Sequence, residues 1–153
     1  MPLDLERFAL TLAAGMSDAI VYADEAGLIR VWNAGAARIF GFTEAEALGH
    51  SLDIIIPAGL RERHWHGFHA TMATRQLRYG EGQLLSVPAT RKDGARISVE
   101  FTIVPFADAD GRMTGIAAIM RDVTARIEEV RALRKELAAC PSGSKAADGA
   151  SNA

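Results

Sequence analysis

Three histidines crowd one stretch of this sequence, and they are the residues best placed to do chemistry. In Ile54–Met72, IIIPAGLRERHWHGFHATM, an apolar run meets Pro57 and then His64, His66 and His69. Pro57 suits a helix entry because its fixed φ and missing N–H cost nothing in a first turn. Leu60, His64, Phe68 and Met72 recur every four residues and share one helical face, with Gly67 and Thr71 beside them. His66 falls with Glu62 and Ala70 on a more polar face, and His69 follows Trp65 at a boundary. His64 alone points clearly inward. Two readings of an inward imidazole stay open. It is a core histidine with a backbone partner, or it is a metal or haem ligand, since neutral imidazole ligates metals and anchors haem axially. His64 and His66 are two apart, so a helix sends them to different sides and they do not chelate one ion.

The rest of the chain offers little catalytic chemistry. Gly80-x-Gly82 is too short for a phosphate cradle and lacks a following helix. Asp108 and Asp110 sit in a turn, solvated. No nucleophile pairs with a base, so enzymatic activity is not expected. The single Cys140 excludes an internal disulfide framework and any multi-cysteine metal site. A length of 153 residues is that of one domain with a real core. Net charge is −2 with 24% charged residues, which gives no bulk pull toward nucleic acid or membrane. The N-terminal MPLDLERFALTLAAGM is neither a signal peptide nor long and apolar enough to span a bilayer. A reducing, cytoplasmic setting is the default expectation.

The elements that must position the histidines follow from pattern. Leu3–Met16 reads as an amphipathic helix with a stripe of Leu5, Phe8, Leu12 and Met16. Ala19–Asp24 and Leu28–Trp32 form a hairpin turned by Asp24–Gly27. Asn33 caps a helix over Ala34–Phe40 that Gly41 stops, and Thr43-x-x-Glu46 is a capping box for Glu44–Leu48. Beyond the histidine helix, Gln83–Arg91 is extended, with Pro88 demanding an edge or a bulge. Arg96–Val104 alternates strictly, with Ile97, Val99, Phe101 and Ile103 on one face. Met113–Arg121 is a last strand, and Asp122 or Thr124 caps a helix over Ala125–Ala139. The order predicts one antiparallel sheet covered on one face by the middle helices. The implied divisions are an N-terminal helix (1–16), a domain (17–122), a closing helix (123–139) and a disordered tail (140–153).

This order and several local signatures resemble PAS domains. The likeness is carried by Asp24-x-x-Gly27, Trp32–Asn33, Ile39-Phe40-Gly41-Phe42-Thr43, Leu48–Gly49, Ile56–Pro57, Arg91-Lys92-Asp93-Gly94, Gly115 and Arg121-Asp122-Val123-Thr124. The resemblance implies an α+β fold: a five-stranded antiparallel sheet with helices on one face and flanking N- and C-terminal helices. It also implies a sensory, signal-transducing and dimerising module whose ligand cavity lies between sheet and middle helices.

Leu60-Arg61-Glu62-Arg63-His64 is similar to the helix that supplies the proximal histidine in haem-binding PAS sensors, among them the rhizobial oxygen-sensing kinases and the bacterial oxygen-sensing phosphodiesterase. That likeness implies haem b on His64, walled by Leu60, Phe68, Leu84, Leu85, Val87, Ile116, Ala118 and Met120. Leu84 stands near the position where those sensors carry a distal arginine. An all-apolar distal side favours CO or NO over oxygen unless Arg75, Arg78 or Met120 swings in. Light-oxygen-voltage photochemistry needs a cysteine among the middle helices, and Cys140 lies in the tail; a noncovalently held flavin such as FAD is a third option. The alternative to a cofactor is a cofactor-free dimerisation or protein-interaction module with His64 as a core residue. Val123, Ile127, Val130 and Leu137 form a seam interrupted by Arg134. A homodimer through the N-terminal helix, the closing helix or both is expected, with an effector or kinase as partner in trans, or with the chain a fragment of a longer sensor.

Overall fold

Alternating apolar residues build a five-stranded antiparallel sheet, ordered β2-β1-β5-β4-β3 in the computed structural model. The strands are β1 (Ala19–Asp24), β2 (Ile29–Trp32), β3 (Leu85–Thr90), β4 (Arg96–Ala107) and β5 (Met113–Asp122). The helices are α1 (Leu5–Gly15), α2 (Ala34–Phe40), α3 (Glu44–Ala47), α4 (Arg61–Thr74) and α5 (Thr124–Ala139). The structure describes residues 1–77, 80 and 82–141. The expected disordered tail, beyond Pro141, lies outside the described residues, as does Arg78.

Residues directly opposite in an antiparallel ladder share a face. The row Ala19–Met120–Phe101–Leu85 and the row Val21–Ala118–Ile103 therefore lie on one side. On that side α2 packs Ala36 and Phe40 into a cluster with Val21, Ile29, Trp32, Val99 and Met120. Burying such side chains is worth roughly 1.5–3 kcal/mol each, which makes this cluster the main source of stability.

Asn33 ties the cluster to the chain around it. Its Oδ1 accepts from the backbone N–H of Ile20 (2.8 Å) and Ala36 (2.9 Å). Its Nδ2 donates to the carbonyls of Ala13 and Asp18, both at 3.0 Å. The expected cap of α2 is thus also the clasp of α1 and β1. Gly41 ends α2 with φ of 83°, and the Thr43–Glu46 capping box opens α3. Pro88 sits on β3, an edge strand, where its missing N–H spoils no ladder.

Most boundaries shift by one or two residues, and two shift further. β4 runs three residues beyond Val104, because Val104, Pro105 and Phe106 keep pairing with Ala117, Ile116 and Gly115. Its exposed face turns apolar there, so the alternation fades although the ladder does not. The histidine helix starts at Arg61 rather than at Pro57. Pro57 has ψ of 136° and precedes a separate 3-10 turn, Ala58–Leu60; a second such turn spans Leu52–Ile54. Proline's fixed φ serves either turn type equally, so the sequence signal is the same.

Candidate functional site

α4 lies against β5 on the covered face, with Phe68 and Thr71 buried and His64, Leu60 and Met72 half-buried. The four-residue stripe therefore faces inward as its spacing requires, while His66 and His69 are exposed. Trp65 anchors the helix from its flank. Its indole Nε1 donates to Asp53 Oδ1 at 2.8 Å, and its ring lies over Gly27 in the β1–β2 turn. A Cβ at Gly27 would meet that ring at 2.3 Å, and Gly27 also has φ of 76°. The turn thus needs glycine twice over, for its backbone and for the aromatic lid it carries.

His64 is enclosed by rings. Its centroid lies 4.8 Å from that of Trp65, edge-on, and 6.1 Å from that of Phe68. Its Nδ1 is buried and has no hydrogen-bond partner, alone in this among the buried side-chain polar atoms of the described residues. Burial pushes the imidazole below its ordinary pKa; the Asp53 charge works in the opposite direction, and His69 adds to the depression. At neutral pH the ring is therefore uncharged, which is the form that ligates metals. An orphaned polar atom in a well-satisfied interior calls for an explanation.

The proposed wall is not one surface. Leu85, Ile116 and Ala118 are half-buried on the covered face, in register with Phe101, Pro105 and Ile103. Met120 belongs instead to the α2 cluster with Trp32 and Phe40. Val87 shares the covered face by register but is exposed. Leu84 precedes β3 and is 59% exposed, so it lines no cavity here. Arg75 stands in the left-handed region at the C-terminal cap of α4, with φ of 58°, and is exposed. Sequence reasoning missed Asp53, which holds Trp65 and bears on His64; nothing in its local spacing marks it.

Two open clefts lie elsewhere. One, of about 450 Å³, is lined by Glu25, His69, Met72, Ala73, Arg75, Arg112 and Met113; the other, of about 340 Å³, lies at Phe40–Gly41 and Arg91–Asp93. Neither reaches His64. Among the described residues, no group of three histidine, cysteine, aspartate or glutamate side chains is placed to hold a metal ion. Among the described residues, no helix is long and apolar enough to cross a membrane.

Comparison with known proteins fits this geometry. Residues 14–128 match the model of the PAS fold. An uncharacterized protein of Azorhizobium caulinodans is 35% identical over 119 residues, covering 77% of this chain and 16% of that protein. Sensor protein FixL of Bradyrhizobium diazoefficiens is 38% identical over 47 residues, covering 31% of this chain and 9% of that protein. The chain thus spans less than a fifth of the length of these relatives. Among solved structures, the PAS domain of a Colwellia psychrerythraea protein superposes with a TM-score of 0.70 at 23% identity, covering 80% of this chain and 99% of that one. The PAS domain of Bordetella pertussis BvgS superposes with a TM-score of 0.61 at 24% identity, covering 90% of this chain and all of that one. With the sheet order, the covering helices and the family match in agreement, the chain belongs to the PAS-fold family.

Proposed function

We propose that this PAS module senses at the interface of α4 and the sheet, and that haem b bound through His64 is what it senses with. The observation that carries the reading is the orphaned, buried Nδ1 of His64 on an imidazole kept neutral by its surroundings. The partial similarity to a rhizobial sensor protein supports it. Haem would supply an iron centre for a diatomic gas or for redox change. The chain's own residues would ligate through His64, brace the helix through Trp65 and Asp53, and exclude water with Phe68, Leu85, Ile116 and Ala118. The module passes signals on rather than catalysing a reaction, and its output partner is an effector or kinase.

A second reading, a cofactor-free interaction module, is favoured by the close approach of Trp65 and Phe68 to His64 and by the absence of His64 from both clefts. Haem would have to displace α4 from the sheet. Titrating the purified protein with haem decides between the two. A saturable Soret band that His64→Ala abolishes, and that His66→Ala and His69→Ala leave intact, establishes the first reading. Wild-type protein that takes up no haem leaves the second.

A further inference from the structure

The cleft of about 450 Å³ stands apart from His64 and carries chemistry of its own. Three separate elements meet at it: the C-terminal end of α4 with His69, Met72 and Arg75, the β1–β2 turn with Glu25, and the entry of β5 with Arg112 and Met113. Met113 is buried and Met72 half-buried, so two thioethers give the cleft an apolar floor. Its rim is charged. The guanidiniums of Arg75 and Arg112 stand against the single carboxylate of Glu25, which leaves positive charge in excess.

The backbone sets both arginines in place. Arg75 caps α4 in the left-handed region, and its N–H donates to the Thr71 carbonyl at 3.0 Å. Its Nη1 reaches the β4–β5 turn, where a Cβ at Gly111 would stand 3.4 Å from it. Among the described residues, Arg75 forms no ion pair. Arg112 is clasped by Asp108: its N–H donates to Asp108 Oδ1 and its carbonyl accepts from the Asp108 N–H, both at 2.9 Å. Its guanidinium gives one nitrogen, Nη2, to Glu25 Oε2 at 3.3 Å. Both partners are exposed, so solvent screens that contact.

We propose that this cleft is a second ligand site and that it takes a small organic carboxylate. Guanidiniums hold carboxylates in paired, charge-assisted hydrogen bonds, and Arg75 and Arg112 bring such donors from two elements to one cleft. The floor of Met72 and Met113 receives the ligand's short hydrocarbon body, which a bare inorganic anion lacks. A soft cation on the thioethers and His69 is opposed by the two guanidiniums. The volume of about 450 Å³ lies within the range of small-molecule sites. The bound carboxylate replaces Glu25 as the partner of Arg112 and ties α4 to the β4–β5 turn. The site does not depend on haem, since His64 does not line it.

Calorimetric titration of the full chain with butyrate, hexanoate and benzoate tests this. At least one of the three binds saturably, at one site per chain. Arg75→Gln and Arg112→Gln each raise its dissociation constant by at least ~tenfold, the loss of one charge-assisted contact. Both arginines are exposed, so circular dichroism of each variant matches wild type. Glu25→Gln tightens binding by about two- to fivefold, because it removes the carboxylate that competes for Arg112. A purely structural role for the arginines gives no such gain. Arg91→Gln, at the other cleft, leaves the constant unchanged. Inorganic phosphate, with no apolar body to bury, binds at least ~tenfold more weakly. A wild type that binds none of the three acids, or an unchanged constant in either Arg75→Gln or Arg112→Gln, overturns the proposal. So does an equal loss in Arg91→Gln, the absence of a gain in Glu25→Gln, or phosphate that binds as tightly as the acids.

Discussion

The two halves of the covered face are built differently. Under α2 the buried polar side chains have partners: Asn33 makes four hydrogen bonds, and the Trp32 indole donates to the Phe42 carbonyl at 3.0 Å. Phe40, Val21, Ile29 and Val99 are fully enclosed there. Under α4 the helix has no side-chain N-cap, His64 has an orphaned nitrogen, and the flanking strand leaves Val87 bare. One half is built to hold, and the other keeps a defect that a well-packed core would eliminate. Among the described residues this is the one buried side-chain polar atom left without a partner, and the stability of the two halves should differ accordingly.

The largest test of that contrast lies under α2. Phe40→Ala removes a fully buried ring and costs about 3–5 kcal/mol, read as a lower denaturant midpoint. Asn33→Ala, which strands four backbone groups, belongs in the same range. A loss below about 1 kcal/mol for either would mean that the α2 half is not the more rigid one.

Gly27→Ala probes the join between the halves. The positive φ and the Trp65 ring at 2.3 Å together make it cost about 1–3 kcal/mol. The indole is displaced as well, so tryptophan fluorescence shifts. An unchanged midpoint would show that Trp65 is loosely held.

The smallest effect has the opposite sign. His64→Leu removes the orphaned nitrogen and raises stability by about 1 kcal/mol, seen in the same denaturation series. The pH dependence sharpens the point. The imidazole's folded pKa lies below its unfolded value, so the unfolded chain binds more protons in the interval between them. The contribution of His64 is fully present above roughly 6.5 and is lost as pH falls from there to the folded value. His64→Leu flattens that slope. A slope that persists unaltered in the variant would assign it to another group.

Much of this was legible from residue order. The alternation of Ile97, Val99, Phe101 and Ile103 marks β4, and Asn33 with Gly41 bounds α2 to the residue. Those signals are local, and so is the four-residue spacing that turns His64 inward. What escaped is relational. Asn33 reads as a cap, but its bonds to Ala13, Asp18 and Ile20 depend on where the chain returns. Leu84 and Met120 are wall residues only by the likeness to haem-binding sensors. The start of β3 leaves Leu84 in solvent, and the ladder carries Met120 to the α2 end. The missing partner of His64 Nδ1 depends on the surroundings and leaves no mark in the sequence.

The junction of β5 and α5 is stiff. Both backbone groups of Ser98 on β4 are engaged by the start of α5: its N–H donates to the Thr124 hydroxyl, and its carbonyl accepts from Val123 N–H. Asp122 Oδ1 accepts from both the N–H and the hydroxyl of Thr124. The helix is thus hinged to two neighbouring strands at its root, while the residues from Glu128 onward are exposed. A lever of 16 residues reaches roughly 24 Å, so a change of about 5° in the twist between β4 and β5 swings its tip by about 2 Å. A displacement too small to disturb the sheet's hydrogen bonds arrives at the far end as a shift of side-chain size.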